Sequence, residues 1–290
     1  MGLKRSYRRR GTPDLPMAVY TGKAVVAAGV HPIPEYHPET ELVRVIAGHV
    51  VIQLDGTART FREGDIFLIP ANAVHYYRFV SEDSKLCTLI FSPDSITMQP
   101  EHFFQKNFVQ PLREERLQLP QLLQPGHPIY DTLCAQFELL QHCHTFEKDY
   151  QIRRFSSLMA ICTALFPYCT LISDKRANAE PGNEAVKLCM RYIHNNHTQK
   201  VTLEDLGHYC HMHPNYLCTL FKSYTGQTIF DFLNRYRIES AAQLLKNYEL
   251  SAGKVGELVG FRSESLFYRT FKKVMGVTPK AYAKENAEKK

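Results

Sequence analysis

The sequence predicts an α+β chain of two domains. The first is an antiparallel β-barrel with a helical segment attached, and the second is an all-α double helix-turn-helix. Three observations predict this. Residues 18–91 consist of short β-type runs punctuated by Gly, Asp and Asn turns. From residue 184 onward, apolar residues recur at helical spacing instead. Within that second stretch the pattern Phe-Lys-x-x-x-Gly-x-Thr occurs twice, at Phe221 and Phe271, 50 residues apart. A chain of 290 residues has room for both domains.

The amino-terminal residues 1–11 carry Lys4, Arg5, Arg8, Arg9 and Arg10. They read either as a solvated tail or as an arm that contacts DNA or the chain's own carboxy-terminal half. Strands are expected at 42–46, 50–54, 66–69, 76–80 and 86–91. Turns are expected at Ala47-Gly48, Asp55-Gly56, Glu63-Gly64-Asp65 and Pro70-Ala71-Asn72. Closely spaced strands joined by such turns suit a barrel or jelly roll.

Residues 92–127 are polar and interrupted by proline, and read as loop with short helices. Two amphipathic helices follow, at 129–143 with Leu133, Phe137 and Leu140, and at 149–166 with Ile152, Phe155, Leu158, Met159, Cys162, Leu165 and Phe166. This helical pair spans about 129–168 and completes a first domain of residues 1–172. Residues 173–183 hold no apolar side chain larger than Ala and read as a linker to a second domain of residues 184–290.

In the second domain a first helix at 184–196 turns Val186, Cys189, Met190 and Ile193 inward. Thr202 then reads as an N-cap with an acidic first turn, and Pro214 as the first residue of a following helix. That helix buries Leu217, Leu220, Phe221 and Tyr224 and runs into Gly226, a left-handed cap. In the second copy Ser251 opens a short helix, Gly260-Phe261 makes the turn, and Ser263 starts a helix that buries Phe267, Thr270, Phe271 and Val274 before Gly276. Short helix, tight turn and second helix make a helix-turn-helix, whose second helix enters the DNA major groove. Thr228-x-x-Asp231 opens a helix to about residue 246 between the units. At about 1.5 Å per residue it is a rod of about 27 Å, long enough to set two recognition helices in successive grooves roughly 34 Å apart.

Residues 184–284 resemble the DNA-binding domain of AraC/XylS-type transcription regulators. The resemblance rests on Tyr216-Leu217-x-x-Leu220-Phe221-Lys222, Gly226, Arg237-Ile238-x-x-Ala241-x-x-Leu244-Leu245, Val259-Gly260-Phe261, Phe267, Arg269-x-Phe271-Lys272, Gly276 and Thr278-Pro279-x-x-Tyr282. Gly256 stands where the family usually carries Ala, and with Gly253 in the same short helix it predicts a second unit weakened by roughly 1–2 kcal/mol.

With the apolar faces buried, the first recognition helix offers DNA Asn215, Cys218, Thr219 and Lys222, and the second Glu264, Ser265, Tyr268, Arg269 and Lys272. Asn215 suits adenine, Glu264 the cytosine amine and Arg269 guanine. Lys222, Lys272 and Lys273 suit phosphates, and His213 and Ser263 suit them through helix-terminal N–H groups.

In the first domain His37-x3-Glu41-x6-Gly48 and Gly64-x5-Pro70-x-Asn72-x2-His75 resemble the two cupin motifs, which also occur in sugar-responsive sensor domains of AraC-type regulators. Glu35 replaces the first motif's leading His, and Asn72 replaces a Gly. The resemblance leaves three roles open for these residues. A metal-free pocket of His37, Glu41, Arg44, His75 and Tyr77 suits a hydroxyl-rich ligand such as a carbohydrate. Glu35, His37, Glu41 and His75 alternatively suit Fe, Mn, Ni or Zn. Purely structural bracing is the third. The His208-x-Cys210-His211-x-His213 cluster lies across the first turn, where a metal would block groove entry, and is not expected to bind one.

Residues 184–290 carry 16 Lys and Arg against 10 Asp and Glu, a net of +6, which leaves residues 1–183 neutral. The surplus therefore lies in the half expected to meet phosphates. Eight cysteines without a Cys-x-x-Cys pair, and no long apolar run, predict a reduced, soluble, cytoplasmic protein with no membrane span.

The resemblance implies a non-enzymatic regulator that needs no cofactor. Its partners would be promoter DNA, a small-molecule effector, RNA polymerase for activation, and a second copy through the helical pair. The competing class is a metal-dependent cupin enzyme with an appended DNA-binding tail. A DNA-architectural protein is disfavoured by the neutral barrel that fills half the chain.

Overall fold

The computed structural model describes residues 15–22, 34–143, 148–172, 181–248 and 250–287. The basic residues 4–10 and most of the expected linker, 173–180, lie outside them. The described residues fall into two compact units that divide between 172 and 181, with Pro34 grouped with the second.

The first unit is built on two antiparallel sheets. One, in the order β1-β7-β2-β5-β9, comprises β1 (Met17–Gly22), β2 (Thr40–Ala47), β5 (Ile66–Ile69), β7 (Lys85–Phe91) and β9 (Leu122–Leu123). The other, in the order β4-β3-β6, comprises β3 (His49–Leu54), β4 (Thr57–Arg62) and β6 (His75–Val80). Alternation of side chains along β2 fixes what lies on each face. Val43 and Val45 point between the sheets, where they pack with Val50, Ile52, Leu54, Phe61, Phe67 and Ile69. Leu42 points the other way, into a second core with Ile66, Leu68, Leu89 and Phe91.

That second core is covered by helices α2 (Tyr130–Gln141) and α3 (Tyr150–Leu165), through Leu133, Phe137, Leu158, Ile161 and Leu165. A short helix α1 (Gln110–Arg113) and strand β8 (Leu117–Gln118) precede them. Because both faces of the larger sheet are covered, β5 is apolar at every position, Ile66-Phe67-Leu68-Ile69, with all four residues buried.

Two elements depart from expectation. Strand β4 is polar apart from Ala58 and Phe61, of which only Phe61 is buried, and it pairs with β3 through the two-residue turn Asp55-Gly56, both at positive φ. As an edge strand it needs only that one inward anchor. In α3, Ile152 is 69% exposed and Phe155 36% exposed, whereas Ile161 is buried. The inward face is therefore set by Leu158, Ile161, Cys162 and Leu165.

The second unit is helical: α4 (Pro181–Asn196), α5 (Leu203–Cys210), α6 (Pro214–Thr225), α7 (Ile229–Asn247), α8 (Ala252–Leu258), α9 (Glu264–Met275) and α10 (Pro279–Ala287). Local chemistry sets the boundaries. Thr202 and Asp205 form a reciprocal capping box. Ser251, Ser263 and Thr228 each cap with a side-chain oxygen. Gly226 and Gly276 end α6 and α9 in the left-handed conformation. The amino-terminal half of α7 packs against the first unit of the repeat, with Phe232 edge-on to Phe221. Its carboxy-terminal half, with Ile238, Ala241 and Leu245, packs on Val255, Val259, Phe267 and Phe271. Burial of each such phenylalanine contributes about 1.5–3 kcal/mol.

Candidate functional site

The two repeated helices α6 and α9 present matched faces. Leu217 and Phe221 on α6, and Phe267 and Phe271 on α9, are fully buried. On the opposite faces Asn215, Thr219 and Lys222 are exposed, as are Glu264, Ser265, Arg269, Lys272 and Lys273, while Cys218 and Tyr268 are half-buried. His213 caps α6, its Nδ1 accepting from the Asn215 N–H at 3.3 Å. Ser263 caps α9, its Oγ accepting from the Leu266 N–H at 3.3 Å. Both recognition helices therefore begin with an exposed capping residue, 50 positions apart.

Three exposed residues beside these faces were not among those expected. Tyr216 and Leu266 hold equivalent positions, each one residue before a buried anchor, and both are large and exposed. Arg262 is exposed immediately before the cap Ser263. Their signal in the sequence was the repeat itself, since an apolar side chain one position before an anchor falls outside the buried stripe.

The second site is a polar cluster in the apolar barrel. Glu41 stands on β2, His75 begins β6, and His37 lies in the segment leading into β2; all three are buried. Backbone bonds fix the two histidine segments. Glu35 and His75 exchange N–H···O bonds of 3.0 and 2.9 Å, and the Asn72 N–H donates to His37 O at 2.7 Å. Asn72 makes that bond at φ 61, a left-handed position that Asn tolerates in place of Gly.

His37 Nε2 lies 2.8 Å from Glu41 Oε1, and its Nδ1 lies 3.2 Å from Glu39 O. Both ring nitrogens thus face acceptors. His75 Nδ1 donates to Ala73 O at 2.9 Å, which leaves Nε2 turned toward Glu41 Oε1 at 4.0 Å and Glu35 Oε1 at 3.9 Å. The two rings meet edge to face at 5.1 Å. Tyr77 joins from β6. Its hydroxyl bonds Thr88, and burial, then the Glu41 carboxylate, push its pKa up.

One ligand atom each from His37, Glu41 and His75 lies within 4.8 Å of the others. Two imidazole nitrogens and one carboxylate suit a divalent transition metal, and the Nδ1 bonds to carbonyls orient both rings for it. Glu35 is more than half exposed and stands at the rim of this group.

Arg44 does not belong to the cluster, contrary to expectation. It lies on the same face of β2 as Leu42, and its Nη1 is 3.4 Å from both Cys134 O and Glu138 Oε1 on α2. The twofold alternation that points Glu41 inward sends residue 44 outward, so Arg44 braces the helix on the sheet. In the second unit, His211 takes the left-handed position after α5 while His213 serves as the α6 cap, and Cys210 is buried.

Comparison with known proteins matches residues 206–285 to the helix-turn-helix domain family and residues 22–91 to the cupin domain family. The chain is similar to YdeC of Bacillus subtilis, an HTH-type transcriptional regulator, at 25% identity over 95% of this chain and 94% of that one. It is similar to the raffinose operon transcriptional regulatory protein RafR of Pediococcus pentosaceus, at 24% identity over 78% of each. Among solved structures it is similar to the C-terminal domain of AraT, a response regulator from Geobacillus stearothermophilus, at 32% identity over 35% of this chain and 84% of that one, with a TM-score of 0.34. No helix among the described residues is long and apolar enough to cross a membrane. The two capped helices, the barrel and these matches lead to one conclusion: the chain carries a helix-turn-helix domain and a cupin domain and is similar along its length to HTH-type transcriptional regulators.

Proposed function

We propose that this is a one-component, cytoplasmic regulator in which a small molecule bound in the barrel changes how the two recognition helices are presented to promoter DNA. The observation that carries the reading is the matched, exposed polar face on α6 and α9, each opened by a capping residue at an equivalent position. His213, Asn215, Cys218, Thr219 and Lys222 read one groove segment, and Ser263, Glu264, Ser265, Arg269, Lys272 and Lys273 the next. Asn215, Glu264 and Arg269 contact bases, and the lysines contact phosphates. Tyr216 and Leu266 add apolar contact to thymine methyls.

In the barrel, His37, Glu41, His75 and Tyr77 hydrogen-bond a polar effector. A hydroxyl-rich molecule fits that donor and acceptor set, and RafR is named for a sugar operon. Activation proceeds through contact with RNA polymerase. Exposed Ile152, Phe155 and Leu139 on the α2–α3 pair form the contact to a second copy. Sedimentation showing only monomer at high micromolar concentration would count against that contact.

Affinity capture of sheared genomic DNA by the purified chain tests the reading. Discrete peaks upstream of a few operons support it, and the neighbouring genes nominate the effector. No enrichment at moderate salt, with or without cell extract, sinks it.

The three-donor group His37, Glu41 and His75 favours a second reading, a metal-dependent cupin enzyme with an appended DNA-binding half. A bound divalent metal there would supply Lewis-acid chemistry. Stoichiometric metal in the purified chain together with substrate turnover would select this reading.

A further inference from the structure

The long helix α7 is shared between two cores, and one residue sits where they meet. Phe232 on its amino-terminal side packs edge-on against Phe221 of the first helix-turn-helix, and Ile238 on its carboxy-terminal side belongs to the core of the second. Arg237 lies between them with its guanidinium buried, an expensive placement for a charge unless it is held by acceptors.

Two backbone carbonyls hold it. Its Nε donates to His197 O at 2.6 Å and its Nη2 to Gln199 O at 2.8 Å. Both carbonyls belong to the turn between α4 and α5, on the first unit. The same guanidinium lies 5.7 Å from the ring centre of Phe261, in the α8–α9 turn of the second unit. Gly260, at φ +93, brings the backbone of that turn against the same carbonyl. A β-carbon at 260 would lie 2.6 Å from His197 O and 2.9 Å from the Thr198 carbonyl carbon. The turn of the first unit, the middle of α7 and the turn of the second unit therefore converge on His197 O.

Helix α7 is the covalent link between the two helix-turn-helix units and packs into the core of each, and the Arg237 contacts add a direct tie between their two turns. We propose that Arg237 is the positioning residue that fixes the distance and rotational phase between the recognition helices α6 and α9, and so dictates the spacing of the two half-elements in the DNA site. This inference rests on the reading above, in which both helices enter the major groove. Arg237 itself touches no DNA. Its geometry is specific to arginine, because two carbonyls at a fixed separation match two N–H groups of one planar fork, and lysine reaches only one.

The test selects binding sites from a random DNA library with the full-length chain, followed by affinity measurement on the selected site with and without one inserted base pair between its halves. The insertion rotates one half by about 34–36° relative to the other. Wild type is expected to enrich two half-elements at one spacing and to lose about tenfold or more in affinity on insertion. Arg237→Gln is expected to enrich the same half-elements at spread spacings, with the insertion penalty reduced to about threefold or less.

Arg237→Lys should fall between, and Gly260→Ala, which pries open the same contact from the other side, should match Arg237→Gln. Melting curves of each variant accompany the titrations. If Arg237→Gln does not fold, Arg237→Lys and Gly260→Ala decide the outcome. Lowered melting with the wild-type insertion penalty retained would reduce Arg237 to a stabilising contact and overturn the proposal. Failure of wild type to enrich any paired element would instead overturn the two-groove reading itself, so the two failures are told apart in the wild-type selection.

Discussion

Gly256 lies directly beneath the ring of Phe267, so close that a β-carbon at 256 would stand 2.9 Å from Phe267 Cγ and 3.0 Å from Cδ1. Gly207 holds the same place relative to its helix cap in the first unit, where a β-carbon would meet Met212 O at 2.9 Å and Pro214 Cγ at 3.0 Å. Both short helices give up helix propensity at this position so that the recognition helix can pack against bare backbone.

Helix propensity alone predicts that Gly256→Ala stabilises by about 0.8–1 kcal/mol. The packing predicts the opposite: a loss of about 1–3 kcal/mol as Phe267 is forced off its site. Amide exchange across 252–275 in the full chain decides between them. Slower exchange in the variant would show that the ring moves aside at little cost.

The two classes of DNA contact separate by salt. Arg269→Ala should relax base preference at one position, with a cost of about 1–3 kcal/mol on the preferred sequence. Lys222→Ala should weaken all sequences alike and lower the salt slope by about 1. A base-substitution scan at two salt concentrations reads both, and interchanged behaviour would refute the assignment.

Histidine chemistry gives the carboxy-terminal half a pH dependence. His197 is buried, which pushes its pKa below the ordinary value, and the Arg237 charge adds to the effect, against a bond from Nδ1 to His194 O at 3.0 Å that favours the proton. Its Nε2 has no hydrogen-bond partner. The folded chain therefore resists a proton that the unfolded chain accepts near its ordinary value of about 6.5. Stability from this residue is complete above that pH and is lost as pH falls through the lower, folded value. Unfolding followed from pH 7.5 to pH 5 should show this decline, and His197→Gln should flatten it. An unchanged slope in the variant would assign the dependence elsewhere.

In the barrel, His37→Ala and His75→Ala should abolish the effector's influence on DNA binding while leaving effector-free DNA affinity within about twofold, because the recognition helices belong to a separately folded unit. Arg44→Ala should leave the response intact and loosen α2 instead. A wild-type response in both histidine variants would empty the proposed pocket.

The repeat, its caps and the inward stripes of α6, α7 and α9 could be read from the sequence, because each depends on residues within a turn or two of one another. The apolar run of β5 was equally plain, since a strand covered on both faces has no polar positions. What the sequence hid was direction and long-range contact. Nothing local tells which face of β2 carries Arg44, and that choice follows only from where α2 packs. The polar strand β4 carries one inward residue, Phe61, too little for a period to show. Arg237 stood out as part of a family motif, but its bond to His197 O joins positions 40 residues apart through three turns of structure.

One chain is proposed to place two recognition helices in successive major grooves. Base-contact footprinting of the full chain on a captured promoter fragment tests this most directly. The prediction is two protected major-groove segments per protomer on one face of the duplex, about 10–10.5 base pairs apart, with Arg269→Ala removing contacts in only one of them. A single protected segment that vanishes entirely in Arg269→Ala would contradict it, because α6 would then have no groove of its own.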